Sequence, residues 1–119
     1  MRKRILIVDD DEMSRALLKH YLHPNYTLDF AENGTSAVIK TRKKEYDLIL
    51  MDIHMPGLNG YQTSYFLRTK INTPIIGISG EGESDITATF SGMSEVISKD
   101  LSRCKIIDKI EKAINKVLV

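Results

Sequence analysis

The chain has 119 residues, 42% of them apolar and 28% charged, with a formal net charge of +1. That is one domain's length, enough to bury about two-thirds of the unfolded surface, and the balance is that of a soluble globular chain with no general pull toward nucleic acid or anionic membrane. The lone Cys104 excludes an internal disulfide scaffold and suits a reducing, intracellular setting, and no apolar run approaches the ~20 residues of a membrane span.

The first four residues, Met-Arg-Lys-Arg, are basic like a secretory n-region. Only four apolar residues follow, at 5–8, before Asp9-Asp10-Asp11-Glu12, so no signal segment is expected. Residues 5–8, Ile-Leu-Ile-Val, instead predict a strand apolar on both faces. Met13, Ala16, Leu17 and Tyr21, three and four apart, predict a helix ending before Pro24. Residues 26–31 alternate and read as an outer strand. Ala37, Val38 and Thr41 form a second helical stripe, with Thr35 or Ser36 as its cap. Residues 48–51 repeat the continuous strand pattern. Tyr61, Tyr65 and Leu67 give a weaker third stripe. Residues 74–78 form the next strand, and 84–91 a short helix with Ile86 and Phe90 four apart. Val96-Ile97 is a weak last strand. Ile106, Ile110, Ala113, Ile114 and Val117, begun near Ser102, make the clearest stripe. Strand and helix alternate five times, which implies a parallel sheet with helices on both faces. These units use almost the whole of residues 1–119, read as a single domain.

Ligands in such sheets bind outside the carboxyl ends of the strands. The first strand ends in Asp9-Asp10, the third in Asp52, the fourth in Ser79, and Lys99 follows the fifth. Any one of these residues alone is ordinarily a turn former, a cap or a solvated charge. Their coincidence on one edge is what points to function. Clustered carboxylates repel in a cleft and call for a cation or a paired lysine. An oxygen-rich set suits Mg²⁺, Lys99 suits a phosphate oxygen, and Ser79 can donate to the same group. A carboxylate so surrounded is equipped as a nucleophile toward phosphorus.

The stretches Ile5-Leu6-Ile7-Val8-Asp9-Asp10, Leu50-Met51-Asp52-Ile53-His54-Met55-Pro56-Gly57-Leu58-Asn59-Gly60, Ile78-Ser79-Gly80 and Ser98-Lys99 resemble the receiver domain of two-component response regulators. The resemblance covers essentially the whole chain and is most specific around Asp52. It implies a (βα)5 flavodoxin-like α/β fold with strand order 2-1-3-4-5. It implies that Asp52 accepts a phosphoryl group from a phosphohistidine on a sensor histidine kinase or histidine phosphotransfer protein. Asp10 and Asp52 would hold Mg²⁺ directly, Asp9 through water, and the backbone carbonyl of His54 would be a further ligand. Ser79 would bond a phosphoryl oxygen and Lys99 would pair with the phosphoaspartate. The domain would catalyse only its own phosphorylation and dephosphorylation, in the cytoplasm, with output through contact with a downstream protein effector. Phosphorylation-dependent dimerisation is compatible with it. Gly57 and Gly60 fit a loop that needs positive φ. His54 and Glu81, each two residues beyond a site residue, would flank the phosphoryl group and tune its hydrolysis.

Three departures stand out. Val96 occupies a position usually held by Tyr or Phe, whose rotamer couples to the hydroxyl at the end of the fourth strand. Asp100 follows Lys99 where proline is usual. A cis bond there would cost about 2.5–4 kcal/mol, so trans is expected. The segment from Ser79 to Lys99 is about two residues short and begins Gly80-Glu81-Gly82-Glu83-Ser84, which predicts a short or poorly formed fourth helix. These motivate the alternative of a pseudo-receiver whose binding is independent of phosphate. An aspartyl-phosphate phosphohydrolase is a third class, but Asp52-Ile53-His54 lacks the second carboxylate of such motifs and falls on the third strand. His20 and His23 are three apart without further ligands, so a metal role is not expected there. Arg42-Lys43-Lys44 and the basic residues of the last helix read as solvated faces, and Cys104 as inert. There is no GxGxxG or Walker A motif and no helix-turn-helix, so neither nucleotide binding nor direct contact with nucleic acid is expected.

Overall fold

The computed structural model describes residues 2–80 and 85–116. Strand and helix alternate: β1 (Arg4–Val8), α1 (Glu12–Leu22), β2 (Thr27–Ala31), α2 (Gly34–Lys43), β3 (Leu48–Asp52), α3 (Gly60–Arg68), β4 (Ile75–Ser79), α4 (Asp85–Phe90), β5 (Glu95–Ser98) and α5 (Arg103–Lys116). The strands form one parallel sheet in the order β2-β1-β3-β4-β5. The alternating strand β2 lies at an edge, and the continuous runs of β1, β3 and β4 lie inside.

The continuous runs are apolar because both sheet faces are covered. On one face Ile5, Ile7, Leu48, Leu50, Ile76 and Ile78 pack with Leu18 and Leu22 of α1 and Ile106, Ile110 and Ile114 of α5. On the other, Leu6, Val8, Ile49, Met51 and Ile75 pack with Ala37 of α2, Leu67 of α3 and Ala88 of α4. Each large side chain buried this way is worth roughly 1.5–3 kcal/mol, so register is strongly specified.

The α5 stripe is as expected, with Ile106, Ile110 and Ile114 buried, whereas the faces of α1, α3 and α4 depart from the expected stripes. In α1 the buried pair is Leu18 and Leu22, while Met13 and Leu17 are exposed. The helix is turned by one position, seating Leu18 and Leu22 on the sheet. Its N-cap is Asp11, which accepts from the Ser14 N–H. Asn33, not Thr35 or Ser36, caps α2 by accepting from the Ser36 N–H at 2.7 Å. In α3 the face against the protein is made of Gly60, Thr63, Ser64 and Leu67, and Tyr65 is exposed. Small residues allow that close approach, and hydrophobic periodicity does not register them. α4 is short, as expected, but Phe90 is 80% exposed, and among the described side chains of α4 Ala88 is the buried one. Residues 81–84, and with them Glu81 and the expected helix start at Ser84, lie outside the described residues, as do Val117 and the side chain of Ile86.

Candidate functional site

The order β2-β1-β3 brings the carboxyl ends of β1 and β3 side by side at the point where strand order reverses. Asp9 directly follows β1, and its N–H donates to the Ala31 carbonyl at 3.0 Å. Asp52 is the last residue of β3 and Ser79 the last of β4. The Lys99 N–H donates to the Ser79 carbonyl at 2.8 Å, which extends the β4–β5 ladder and carries Lys99 to the same edge. Asp9, Asp10, Asp52, Ser79 and Lys99 therefore meet at one end of the sheet.

Asp9, Asp52 and Ser79 are buried, whereas Asp10 is exposed. Asp9, Asp10 and Asp52 each offer a carboxylate oxygen, and these oxygens lie within 4.8 Å of one another. The Lys99 amine stands 3.5 Å from Asp52 Oδ1 and 3.7 Å from Asp9 Oδ2. Asp9 Oδ1 accepts the Asp11 N–H at 2.9 Å, and Asp52 Oδ1 accepts the His54 N–H at 3.3 Å. A cleft of about 440 Å³ opens onto this group, lined by Asp10, Asp11, Asp52, His54, Gly80 and Lys99.

Burial pushes the Asp52 carboxyl up to about 6, with the neighbouring Asp9 charge adding to it and Lys99 opposing it. Asp9 is also raised, first by burial, against the Asp11 N–H and Lys99. One ammonium thus leaves the carboxylates short of positive charge. Asp9 Oδ2 is buried and has no hydrogen-bond partner. Such an atom is costly unless something else satisfies it. Three carboxylates with an orphaned oxygen fit a hard divalent cation such as Mg²⁺.

The loop after β3 shows why its glycines are glycines. Gly57 has φ +76°, as expected. Gly60 does not have positive φ. A Cβ there would lie 2.3 Å from the Asp52 carbonyl oxygen and 2.7 Å from Ile53 Cα, so close approach is its requirement. The Gly60 N–H donates to the Ile53 carbonyl at 2.9 Å, and Asn59 with Gln62 forms a capping box at the start of α3. Lys99–Asp100 is trans. Two contributors escaped the sequence reading: Asp11, which caps α1 and bonds Asp9, and Arg15, whose guanidinium donates to the Asp9 carbonyl at 2.8 Å. The cap pattern Asp-x-x-Ser was legible; nothing in the sequence singles out Arg15.

A five-stranded parallel sheet of this order, with an acidic cleft and a lysine at its switch point, defines a flavodoxin-like α/β protein of the receiver type. The sequence model of the response regulator receiver domain matches residues 5–111, and the chain belongs to that family. It is 35% identical over 116 residues to the Bacillus subtilis transcriptional regulatory protein ResD, across 95% of this chain and 48% of that protein. The response regulator domain of Thermotoga maritima CheB superposes with a TM-score of 0.85 at 30% identity, covering 97% of this chain and 98% of that one. The Vibrio cholerae chemotaxis protein CheY4 superposes with a TM-score of 0.89 at 22% identity, covering 95% and 99%, and speaks for the fold. The chain spans about half the length of the curated relatives it matches. Among the described residues no helix is long and apolar enough to cross a membrane.

Proposed function

We propose that this receiver domain is a phosphorylation-switched signalling module whose acceptor is Asp52. The observation that carries the reading is the buried Asp52 carboxylate, beside Asp9 and 3.5 Å from the Lys99 amine, facing an open cleft. A carboxylate oxygen of Asp52 attacks the phosphorus of a phosphohistidine. The O–P bond forms, the N–P bond breaks, and the imidazole departs on the partner, a histidine kinase or histidine phosphotransfer protein. Asp10 and Asp52, with Asp9 through water and the His54 backbone carbonyl, are the groups to hold Mg²⁺. The cation, when bound, supplies charge neutralisation of the phosphoryl oxygens. Lys99 passes from its two carboxylates to the phosphoryl group, and the Ser79 hydroxyl donates to one of its oxygens. Burial keeps Asp52 clear of bulk water, and the His54 imidazole at the cleft wall meets any water that approaches. Output is contact with a downstream effector in the cytoplasm.

The test is incubation with acetyl phosphate and Mg²⁺, followed by intact-mass measurement. The wild type is expected to gain one phosphoryl group, labile to base, that Asp52→Ala does not gain. An equal gain by both proteins, or by neither, overturns the reading.

A further inference from the structure

Asp9 is fixed from three directions. Its N–H donates to the Ala31 carbonyl of β2 at 3.0 Å, and its Oδ1 accepts the Asp11 N–H at 2.9 Å. Its carbonyl accepts from Arg15 Nη1 at 2.8 Å. The first two bonds come from sheet and turn backbone. The third comes from a side chain, one turn into α1, that the functional reading leaves unused. The Arg15 side chain is mostly buried, 19% exposed, and its Nη2 is 3.9 Å from Glu32 Oε1. That pair is long and its acid is well exposed, so it contributes little. The bond to the Asp9 carbonyl is the short one, and it is charge-assisted.

That carbonyl belongs to the peptide joining Asp9 to Asp10. Its orientation therefore decides how the buried carboxylate of Asp9 and the exposed one of Asp10 stand to each other. Lys99 is a charge that opposes the rise of Asp9 and Asp52, and Arg15 is among those that lower Asp11. Its tie to Asp9 itself is the hydrogen bond to the carbonyl.

We infer that Arg15 is a positioning residue for the cation site: by holding the Asp9–Asp10 peptide it sets the carboxylates of Asp9 and Asp10 in the arrangement that receives a divalent cation. This rests on the cation reading given above. Groups that orient metal-binding carboxylates typically govern affinity by 10–100-fold. Arg15 acts on the peptide rather than on a carboxylate, so the lower end applies.

The experiment titrates Mg²⁺ alone, without a phosphoryl donor, into wild type, Arg15→Ala, Arg15→Lys and Glu32→Gln by calorimetry. It also follows hydrogen exchange at the Asp11 amide. Arg15→Ala is expected to weaken Mg²⁺ binding about 10-fold. Arg15→Lys, which keeps one donor within reach, recovers most of the loss, and Glu32→Gln stays within about twofold. Exchange at Asp11 quickens in Arg15→Ala while the amides of β1 and β3 keep their protection. Unchanged affinity in Arg15→Ala overturns the inference. So does a loss that Lys does not recover, accompanied by faster exchange throughout β1 and β3, because that marks general loosening. A wild type that takes up no Mg²⁺ refutes the cation reading. In that case Arg15 falls as a cation-site residue too, and the Asp11 amide shows whether it still orders the turn.

Discussion

Replacing Asp52 with Asn is expected to stabilise the protein, although it removes the proposed acceptor. The carboxyl is buried and pushed from 3.8 up to about 6 by desolvation and by Asp9, so its ionised form is held in the native state at a cost. At about 1.36 kcal/mol per pH unit this is an upper bound of about 3 kcal/mol. Asn keeps the shape and an acceptor for the His54 N–H, and Lys99 keeps Asp9 at 3.7 Å. The expected gain at pH 7 is about 1–3 kcal/mol, or roughly 4–12 °C in Tm for a chain of this size. The raised folded value means that the native state retains a proton the unfolded chain has already released. Wild-type stability from this group is therefore fully present below about pH 4 and lost as pH rises through about 6. The gap between variant and wild type should be near zero at pH 4 and open by pH 7. Urea unfolding in EDTA, followed by far-ultraviolet circular dichroism across this range, measures it. Added Mg²⁺ should then stabilise the wild type more than the variant, by about 1.4 kcal/mol at ten times the dissociation constant. A variant no more stable than wild type at pH 7, or a gap that does not change with pH, refutes the reasoning.

Gly60→Ala should cost about 1–3 kcal/mol or more in denaturant unfolding, because its Cβ meets the Asp52 and Ile53 backbone. Gly57→Ala, with open space but φ +76°, should cost only about 1–2 kcal/mol. Asp29 is depressed: burial, its largest single influence, is outweighed by the Tyr46 hydroxyl at 2.8 Å together with Lys44 and Arg4. Asp29→Ala should therefore destabilise by about 1–3 kcal/mol at pH 7. The difference from wild type should shrink as pH falls below about 4, through the folded value, and pH-dependent urea midpoints would show it. His54→Ala should change the lifetime of the phosphorylated protein, read by the decay of the mass adduct after donor removal; an unchanged lifetime assigns the imidazole to a solvated loop.

Strands and site were legible for the same reason. A strand covered on both faces must be continuously apolar, so where the run stops and Asp9, Asp52 or Ser79 begins, the sheet edge is marked. The helices were less legible because they meet the sheet on one side only. In α1 two stripes compete, and the sheet selects Leu18 and Leu22 over Met13 and Leu17. In α3 the contact depends on Gly60, Thr63 and Ser64, whose smallness matters rather than their hydrophobicity. Arg15 was invisible because its bond is to a backbone carbonyl, which no residue type announces.

The departures at Asp100 and Val96 have local physical explanations that leave the cleft intact. The Asp100 N–H, which a proline would lack, donates to Ser98 Oγ at 3.1 Å, and the Leu101 N–H donates to the Ser98 carbonyl at 3.2 Å. Ser98 thus ties the turn that follows Lys99 in the trans form. Val96 is half-buried beside Gly77. A Cβ on Gly77 would lie 2.7 Å from Met93 Sδ and 3.3 Å from Val96 Cγ2. A glycine inside a buried strand marks such close approach. The space against β4 is filled by an adaptable thioether and a β-branched side chain with few rotamers, rather than by a ring that swings. Loss of the aromatic is then a question of volume in the layer between β4 and α4. The carboxylates and Lys99 pose an electrostatic one at the strand ends, and Ile53, whose Cδ1 would lie 3.3 Å from a Cβ on Gly77, stands between the two next to Asp52.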